Sequence, residues 1–476
     1  MSTISGSAPA ARRLVRVGLA AALISRIFSR LVGFILVIAL ARHADTASVA
    51  VYGYLLGTSS LVIGLTSLGV SNISARDVAA GRIPVGEALR SALGPHLASL
   101  AVAAVLTVVV TLTLGPDAVP TSALALTVGT VLAGGLNGLY ADLLRATGRV
   151  VLEGVLQMAA TVALVAAGTF VVLHPTPVDT ATALLTVILV KELALLLIGM
   201  ALLRPTRTDT STRDLLRQSI WLAVAGTAFV GLWRQGMLVV GATGQIGVLA
   251  TYVVASRYQD AGAGLAYTAG FGLRPGFARL AGDPEAFGHT LRRYLGLATA
   301  LGAATALLGT VAGTALVSVP FGPRWADAVA PVQVITFAAV PILVMFVAST
   351  ALIARGSLRL VALGATAGTV TAATVSLILT HHQPTALSPT IGTAAGAAVI
   401  AVIYLAGLRD VLWPGRRDDP AVDGPVEPDA GTPPGDPDDA VAQVSAPSPL
   451  PPLSPLSPLT LTPLPPPSRS PLPRRM

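Results

Sequence analysis

Apolar residues in this chain come in long unbroken runs, not in the alternation of a half-buried strand or the narrow stripe of a surface helix. A helix that crosses a bilayer needs roughly 20 such residues. Reading for that length predicts twelve spans, at about 17–41, 48–72, 91–114, 121–142, 151–173, 180–203, 218–241, 247–270, 294–318, 328–354, 360–380 and 390–408. Gly, Ala, Ser and Thr recur inside them, which lets helices approach closely in lipid. The expected fold class is an all-α polytopic membrane protein.

Lys and Arg in the connections set the orientation of such a chain. The N-terminal side carries Arg12, Arg13 and Arg16. Alternate connections then carry Arg76, Arg82 and Arg90; Arg145 and Arg149; Arg204, Arg207, Arg213 and Arg217; Arg274, Arg279, Arg292 and Arg293; and Arg355 and Arg359. The intervening connections hold only Arg42 and Arg324. This asymmetry predicts both termini and the longer loops in the cytoplasm, with the chain multi-pass in the cytoplasmic membrane.

The basic connection RPTRTDTSTRDLLRQ falls near the middle of the hydrophobic part. It suggests a cytoplasmic N-terminus (1–16), six spans (17–203), a linker (204–217) and six more spans (218–408). Both blocks start from the same side, so any repeat is parallel, about an axis along the membrane normal. Weak similarity fits: Arg30 leads to VAVYGYLL and Arg234 to GVLATYVV, each an outward loop entering a Tyr-bearing helix. Beyond Trp413 the chain is first acidic and then Pro-rich, with 19 of the 35 prolines. That composition predicts a disordered, partly polyproline II cytoplasmic tail over 409–476. Its PxxP-like runs offer a partner motif, though an idle tail is the simpler reading.

Composition excludes several classes. The 476 residues are 53% hydrophobic and 11% charged, with a mean hydropathy of +0.74. There is no cysteine, so thiol catalysis and Cys-ligated metals are out. Only His381 and His382 are adjacent among the histidines, and no metal site is expected. The net charge of +8 reflects topology and not nucleic-acid binding. Lys191 is the only lysine and lies in LLTVILVKELALLL; a P-loop needs its lysine in a Gly-rich loop, so ATP hydrolysis is not expected. The N-terminal apolar run continues to Leu40 and reads as a first span, not a removable signal.

Candidate chemistry lies inside the spans. Arg26, Arg30, Lys191, Arg234 and Arg257 stand well within apolar segments, against only Glu192 and Asp260 at similar depth. A charge near the bilayer centre costs ~2.5–3.5 kcal/mol on insertion scales, so such residues face a cavity or one another. Three excess positive charges suit an anionic cargo. Arg26 and Arg30, four apart like Ser25 and Ser29, form one polar stripe. Either the pair bonds backbone carbonyls between helices, or it binds phosphate, which arginine's planar fork matches. Arg234, beside Trp233, can snorkel outward. Arg257 and Asp260, three apart, can neutralise each other; if Asp260 titrates instead, it is a coupling-ion candidate, as is Glu192. Lys191 and Glu192 are adjacent, point about 100° apart and are expected to seek separate partners. Asp142 and Glu153 lie near cytoplasmic helix ends.

Several stretches together resemble the multidrug/oligosaccharidyl-lipid/polysaccharide (MOP) flippase superfamily, in its polysaccharide-exporter branch. They are SRLVGFILVIALARHADTASVAVYGYLLGTSSLVIGLTSLGVSNISARDVA (29–79), GLYADLLRATGRVVLEGVLQ (138–157), GVLATYVVASRYQDAGAGLAYTAGFGLRPGFARLAGDPEAFGHTLRRYL (247–295) and PFGPRWADAVAPVQVITFAAVPILVMFVASTALIARGSLRL (320–360). The likeness covers most of residues 17–408 by order and spacing, with no catalytic signature. HADTASVA stands where the family has a Gly. A clear thirteenth and fourteenth helix are missing, which argues against the peptidoglycan-precursor flippase subgroup.

The resemblance implies two six-helix lobes forming a V, alternating access, and export of a polyprenyl-pyrophosphate-linked oligosaccharide. Arg26 and Arg30 would hold the phosphates, and Na+ or H+ or the membrane potential would supply energy. Membrane lipids and glycan-assembly proteins are the partners it suggests. A MATE-type drug antiporter is the first rival; it calls for uncompensated acids where this chain has more bases. A membrane glycosyltransferase or polysaccharide polymerase is the second; it calls for a sizeable external loop or a membrane-face acidic cluster.

Overall fold

The computed structural model describes residues 33–66, 69–174, 178–206 and 212–413. Among them the regular structure is entirely helical. Helix α1 covers Gly33–His43, followed by α2 Thr46–Thr66, α3 Val70–Ala79, α4 Val85–Leu114, α5 Thr121–Ala146, α6 Val150–Leu173 and α7 Thr180–Leu202. The second part runs through α8 Thr212–Gly241, α9 Ile246–Leu280, α10 Pro284–Phe321, a 3-10 turn Pro323–Ala328, α11 Val329–Ala354, α12 Leu358–His382, α13 Leu387–Ala406 and α14 Arg409–Leu412.

Each of the twelve expected runs corresponds to one of these helices; α3 and α14 are additional. Among the described residues ten helices are long and apolar enough to cross a membrane, and the chain is a multi-pass membrane protein. The others matching runs are α1, described from Gly33, and α9, which carries Arg257, Gln259 and Asp260 in its middle. The expected N-terminus (1–16), the first part of the first expected span and the tail beyond Trp413 lie outside the described residues, whereas residues 409–412 of the expected tail form α14.

The differences from the hydropathy reading lie at helix ends. The run 48–72 is broken: α2 ends at Thr66 and α3 starts after Gly69, whose φ of 66° is left-handed. Helix α8 begins at Thr212, inside the stretch expected as linker. Helices α9 and α10 have 35 and 38 residues, or roughly 52 and 57 Å of axis. The hydrocarbon layer is only about 30 Å thick. Their excess length projects beyond it as a hairpin whose charged residues, such as Arg279 and Arg293, escape a search for apolar runs.

Helix α4 shows how lipid sorts residues here. Leu100, Ala103, Thr107 and Thr111 face the protein and are buried, while Val102, Val105, Val109 and Leu112 are exposed. Large aliphatic side chains meet lipid tails, and small or hydroxylated ones meet other helices. Thr107 is satisfied locally: its Oγ1 donates to the Ala103 carbonyl at 2.9 Å.

Helix α2 is the centre of the packing. It touches α4, α5 and α7 on one side and α8 and α9 on the other. Gly53 meets Val253 of α9, while Gly57 and Gly64 meet Met237 and Val230 of α8. A Cβ on Gly53 would overlap the Val253 side chain, so the close approach of α2 and α9 requires glycine there. The buried cluster around this contact draws Val49, Tyr54, Leu184, Met237, Tyr252, Val317 and Trp325 from both sets of spans.

At the other end, α14 folds back onto the bundle. Arg355 forms a two-pronged ion pair with Asp410, at 3.1 and 2.9 Å, and Arg292 Nη1 donates to the Leu412 carbonyl at 3.1 Å.

Two outcomes follow. Gly53→Ala should lower the melting temperature in detergent by overpacking worth about 1–3 kcal/mol. Adding Val253→Ala should recover most of that loss, and additive losses in a double-mutant cycle would refute the contact. Hydrogen bonds from Arg355 hold the Asp410 carboxyl below its ordinary value. The clasp is therefore complete above the ordinary carboxylate range and lost as pH falls through the lowered folded-state value. Asp410 is largely exposed, so water screens the pair to no more than about 1 kcal/mol. Amide exchange at Val411 and Leu412, corrected for intrinsic rate, should accelerate below about pH 4. Asp410→Asn should remove that pH dependence.

Candidate functional site

Three charged side chains from two helices meet inside the last six spans. Arg234 of α8 and Arg257 of α9 share the carboxylate of Asp260: Arg234 Nη1 lies 2.9 Å from Oδ1 and Arg257 Nη1 lies 3.3 Å from Oδ2. Counted from the nearer helix ends at Gly241 and Ile246, these residues lie between about 10 and 21 Å along their axes. That is the depth of the membrane interior. Arg234 does not snorkel: its side chain is 17% exposed and turned to Asp260.

Around the triad the polar groups are incompletely matched. Gln259 Nε2 donates to the Trp233 carbonyl at 3.1 Å, and Gln235 Nε2 to Thr393 Oγ1 at 3.3 Å. Arg257 Nη2, Gln235 Oε1 and Gln259 Oε1 are buried with no hydrogen-bond partner among the described residues. A buried group left without a partner costs about 1–3 kcal/mol. The triad is therefore a polar centre with unused donors and acceptors and one unit of positive charge in excess.

The first six spans hold a second centre. Glu192 of α7 accepts from Asn137 Nδ2 of α5 at 2.9 Å, the interhelical partner its depth calls for. Lys191 overturns the expectation that adjacent residues cannot pair, because its Nζ lies 2.5 Å from Glu192 Oε1. The two Cβ atoms do diverge, but the four-carbon lysine stem is long enough to swing its ammonium back. Nearer the basic face, Arg145 bonds both Asp142 and Glu153, the latter at 2.6 Å. Of these two acids, Glu153 is buried.

Arg26, Arg30, Ser25 and Ser29 lie outside the described residues. Among those described at this depth, three cations face two carboxylates, an excess of one charge. The structure brings Arg234, Arg257 and Asp260 together and keeps Lys191 and Glu192 in a separate, neutral pair. The sequence reading missed Asn137, Gln235 and Gln259. An amide inside an apolar run was the available signal for each.

Removing the shared carboxylate leaves two buried guanidinium groups uncompensated, whereas removing one arginine leaves a balanced pair. Asp260→Asn should therefore destabilise the protein by about 3–5 kcal/mol, and Arg257→Met by clearly less. Equilibrium unfolding in mixed micelles measures both, and equal losses would show that the two arginines do not share Asp260.

No protein-family model and no curated protein sequence matches the chain. Solved structures do. "Lipid II flippase MurJ, inward closed conformation" is similar with a TM-score of 0.67 at 12% identity, over 81% of this chain and 87% of that one. The eukaryotic MATE transporter AtDTX14 gives 0.60 at 15%, over 84% and 96%. An inward-facing multidrug resistance MATE family transporter of the MOP superfamily gives 0.57 at 15%, over 83% and 98%. At these identities the likeness is one of fold, and the fold is that of MOP-superfamily transporters. It includes a lipid II flippase, of the subgroup against which the missing thirteenth and fourteenth helices argued.

Proposed function

We propose that this chain is a flippase that moves a polyprenyl-pyrophosphate-linked oligosaccharide, or a related anionic glycolipid, across the cytoplasmic membrane by alternating access. Arg/Lys asymmetry supports cytoplasmic termini. The observation that carries the cargo class is the pair of mid-membrane arginines sharing one carboxylate, with a buried guanidinium nitrogen still unpartnered. That centre has a net positive charge and spare donors of the kind that bind phosphate oxygens bidentately. A pyrophosphate would compete with Asp260 for Arg234 and Arg257, while Arg26 and Arg30, with Ser25 and Ser29, extend the same chemistry on the first span. Lys191 adds little, because Glu192 neutralises it.

The polar head travels between two lobes of six spans while the lipid tail stays in the bilayer. Na+, H+ or the membrane potential supplies the energy, consistent with a sequence that lacks a P-loop. Asp260 would become available to such an ion once displaced from its arginines, and Glu192 only once released from Lys191 and Asn137. Membrane lipids surround the lobes, and glycan-assembly proteins supply the cargo.

The shared fold with MATE transporters keeps a cation or drug antiporter as the second reading. Against it, both intramembrane carboxylates are already held by cations, so neither is free to attract a cationic drug.

Arg26→Ala with Arg30→Ala should cut translocation of a fluorescent lipid-linked oligosaccharide in proteoliposomes at least tenfold without loss of membrane insertion. Normal transport by the double variant would eliminate the phosphate role. Efflux of a cationic dye by the parent, with no lipid-linked sugar movement, would move the assignment to the antiporter.

A further inference from the structure

On the face that bears the α1–α2 connection, two arginines reach across the seam between the sets of spans in opposite directions. Helices α1 and α10 both end there, and the last carbonyls of a helix have no partner within it. Arg42, at the end of α1, donates from Nε to the Pro320 carbonyl at 2.6 Å and from Nη2 to the Val319 carbonyl. Both acceptors belong to the last turn of α10. Arg324, just beyond α10, donates from Nη2 to the Ala44 carbonyl at 2.8 Å and to the Ala41 carbonyl, at the end of α1. Each arginine thus caps the C-terminal end of the other's helix, where the helix dipole favours a cation.

Trp325 lies between them. It is 3% exposed, donates from Nε1 to the Ala41 carbonyl at 2.9 Å, and has the Arg324 guanidinium 5.1 Å above its ring. Gly322 makes the geometry attainable: its φ of 94° is a value side-chain-bearing residues rarely adopt, and it turns the chain from α10 into the 3-10 segment. Beneath this polar surface lie the buried Val49, Val317 and Phe321.

The sequence gives a second, independent reason for attention. Arg42 and Arg324 are the only Lys or Arg in all the connections on that face, so the topological bias is broken only where the two cross-seam caps occur. A structural surface arginine could stand in any of those loops.

We propose that Arg42, Arg324 and Trp325 form a latch that closes this face of the transporter, and that its rupture exposes the central seam to that side. In the closed state the guanidinium groups satisfy carbonyls that water satisfies when the halves part, so the two states exchange one set of hydrogen bonds for another. The charge-assisted bonds at the helix C-termini favour the closed state modestly, and the burial of Trp325 and of the apolar cluster beneath it adds to that resistance. Such a latch is releasable, unlike a buried ion pair. The proposal rests on alternating access and not on the identity of the cargo.

The absence of native cysteine permits a background-free test. Val317→Cys places a thiol in the buried seam below the latch. Its reaction with a membrane-impermeant maleimide, added to sealed vesicles on the α1–α2 side, reports opening. Adding Arg42→Ala and Arg324→Ala should raise the labelling rate at least tenfold, while Arg42→Lys with Arg324→Lys should stay closer to the parent. A reference thiol from Ala298→Cys, remote from the latch, should keep its rate. An unchanged rate at 317 in the double alanine variant, or an equal rise at both positions from general loosening, overturns the latch. Should the double variant not insert, Arg42→Gln alone, which breaks one direction of the capping, should raise the rate severalfold; no rise there also overturns it. Because the probe is a maleimide, failure here leaves the lipid-linked cargo standing, and failure of glycolipid transport leaves the latch standing.

Discussion

A charge held midway through a bilayer has to find either an opposite charge or water, and the arrangement of this protein follows from how that demand is met. Asp260 carries two guanidinium groups at once. A one-to-one pair would cancel and could be replaced by apolar side chains of similar volume with little loss. A two-to-one cluster cannot cancel, so it must be hydrated, relieved by an anion, or held at a standing energetic cost. The Arg257 nitrogen and the Gln235 and Gln259 oxygens, buried without partners among the described residues, add to that cost. The Lys191–Glu192–Asn137 group is the contrast, since charge there is cancelled within one helix and the remaining oxygen is taken by a neighbouring amide.

The central helix explains how the two sets of spans hold together beside such a centre. Lipid tails give no hydrophobic drive for helices to associate, so α2 adheres to α8 and α9 through glycines that bring backbones close. In those contacts the side chains of Val253, Met237 and Val230 seat against the glycines. The two carbonyl caps at one end, by contrast, are directional and specific. Broad small-residue packing along the seam, with polar ties concentrated at its end, is the division of labour expected of parts that part at one end and stay together elsewhere.

Much of the fold was legible in the sequence because span length and hydropathy are imposed directly by the bilayer. The twelve runs found their helices. Legibility failed where the bilayer stops dictating. The break at Gly69 follows the 21 residues of α2, and α9 and α10 are longer than a hydrocarbon layer can hold; at such ends amphipathic turns continue a helix with no apolar run to mark them. The pairing of Arg257 with Asp260 was readable because it lies within one helix turn. The addition of Arg234, 26 residues away, needed the tertiary packing of α8 on α9. The Lys191 error has a different origin: helical spacing fixes where a Cβ points, not where a flexible ammonium ends.

Arg42 and Arg324 illustrate the deepest limit. Counting charges treats each arginine as a topological marker, and on that count these two were minor exceptions. Their partners are backbone carbonyls, which every residue has and which leave no trace in a sequence. The exceptions acquire meaning only when the helix ends they cap are seen to belong to opposite sets of spans. The same reasoning bears on the cargo site. A guanidinium that can bond carbonyl, carboxylate or phosphate is specified by what stands opposite it in each state. In this state the opposite group for Arg234 and Arg257 is a single shared carboxylate, and one Arg257 nitrogen is left without a partner among the described residues.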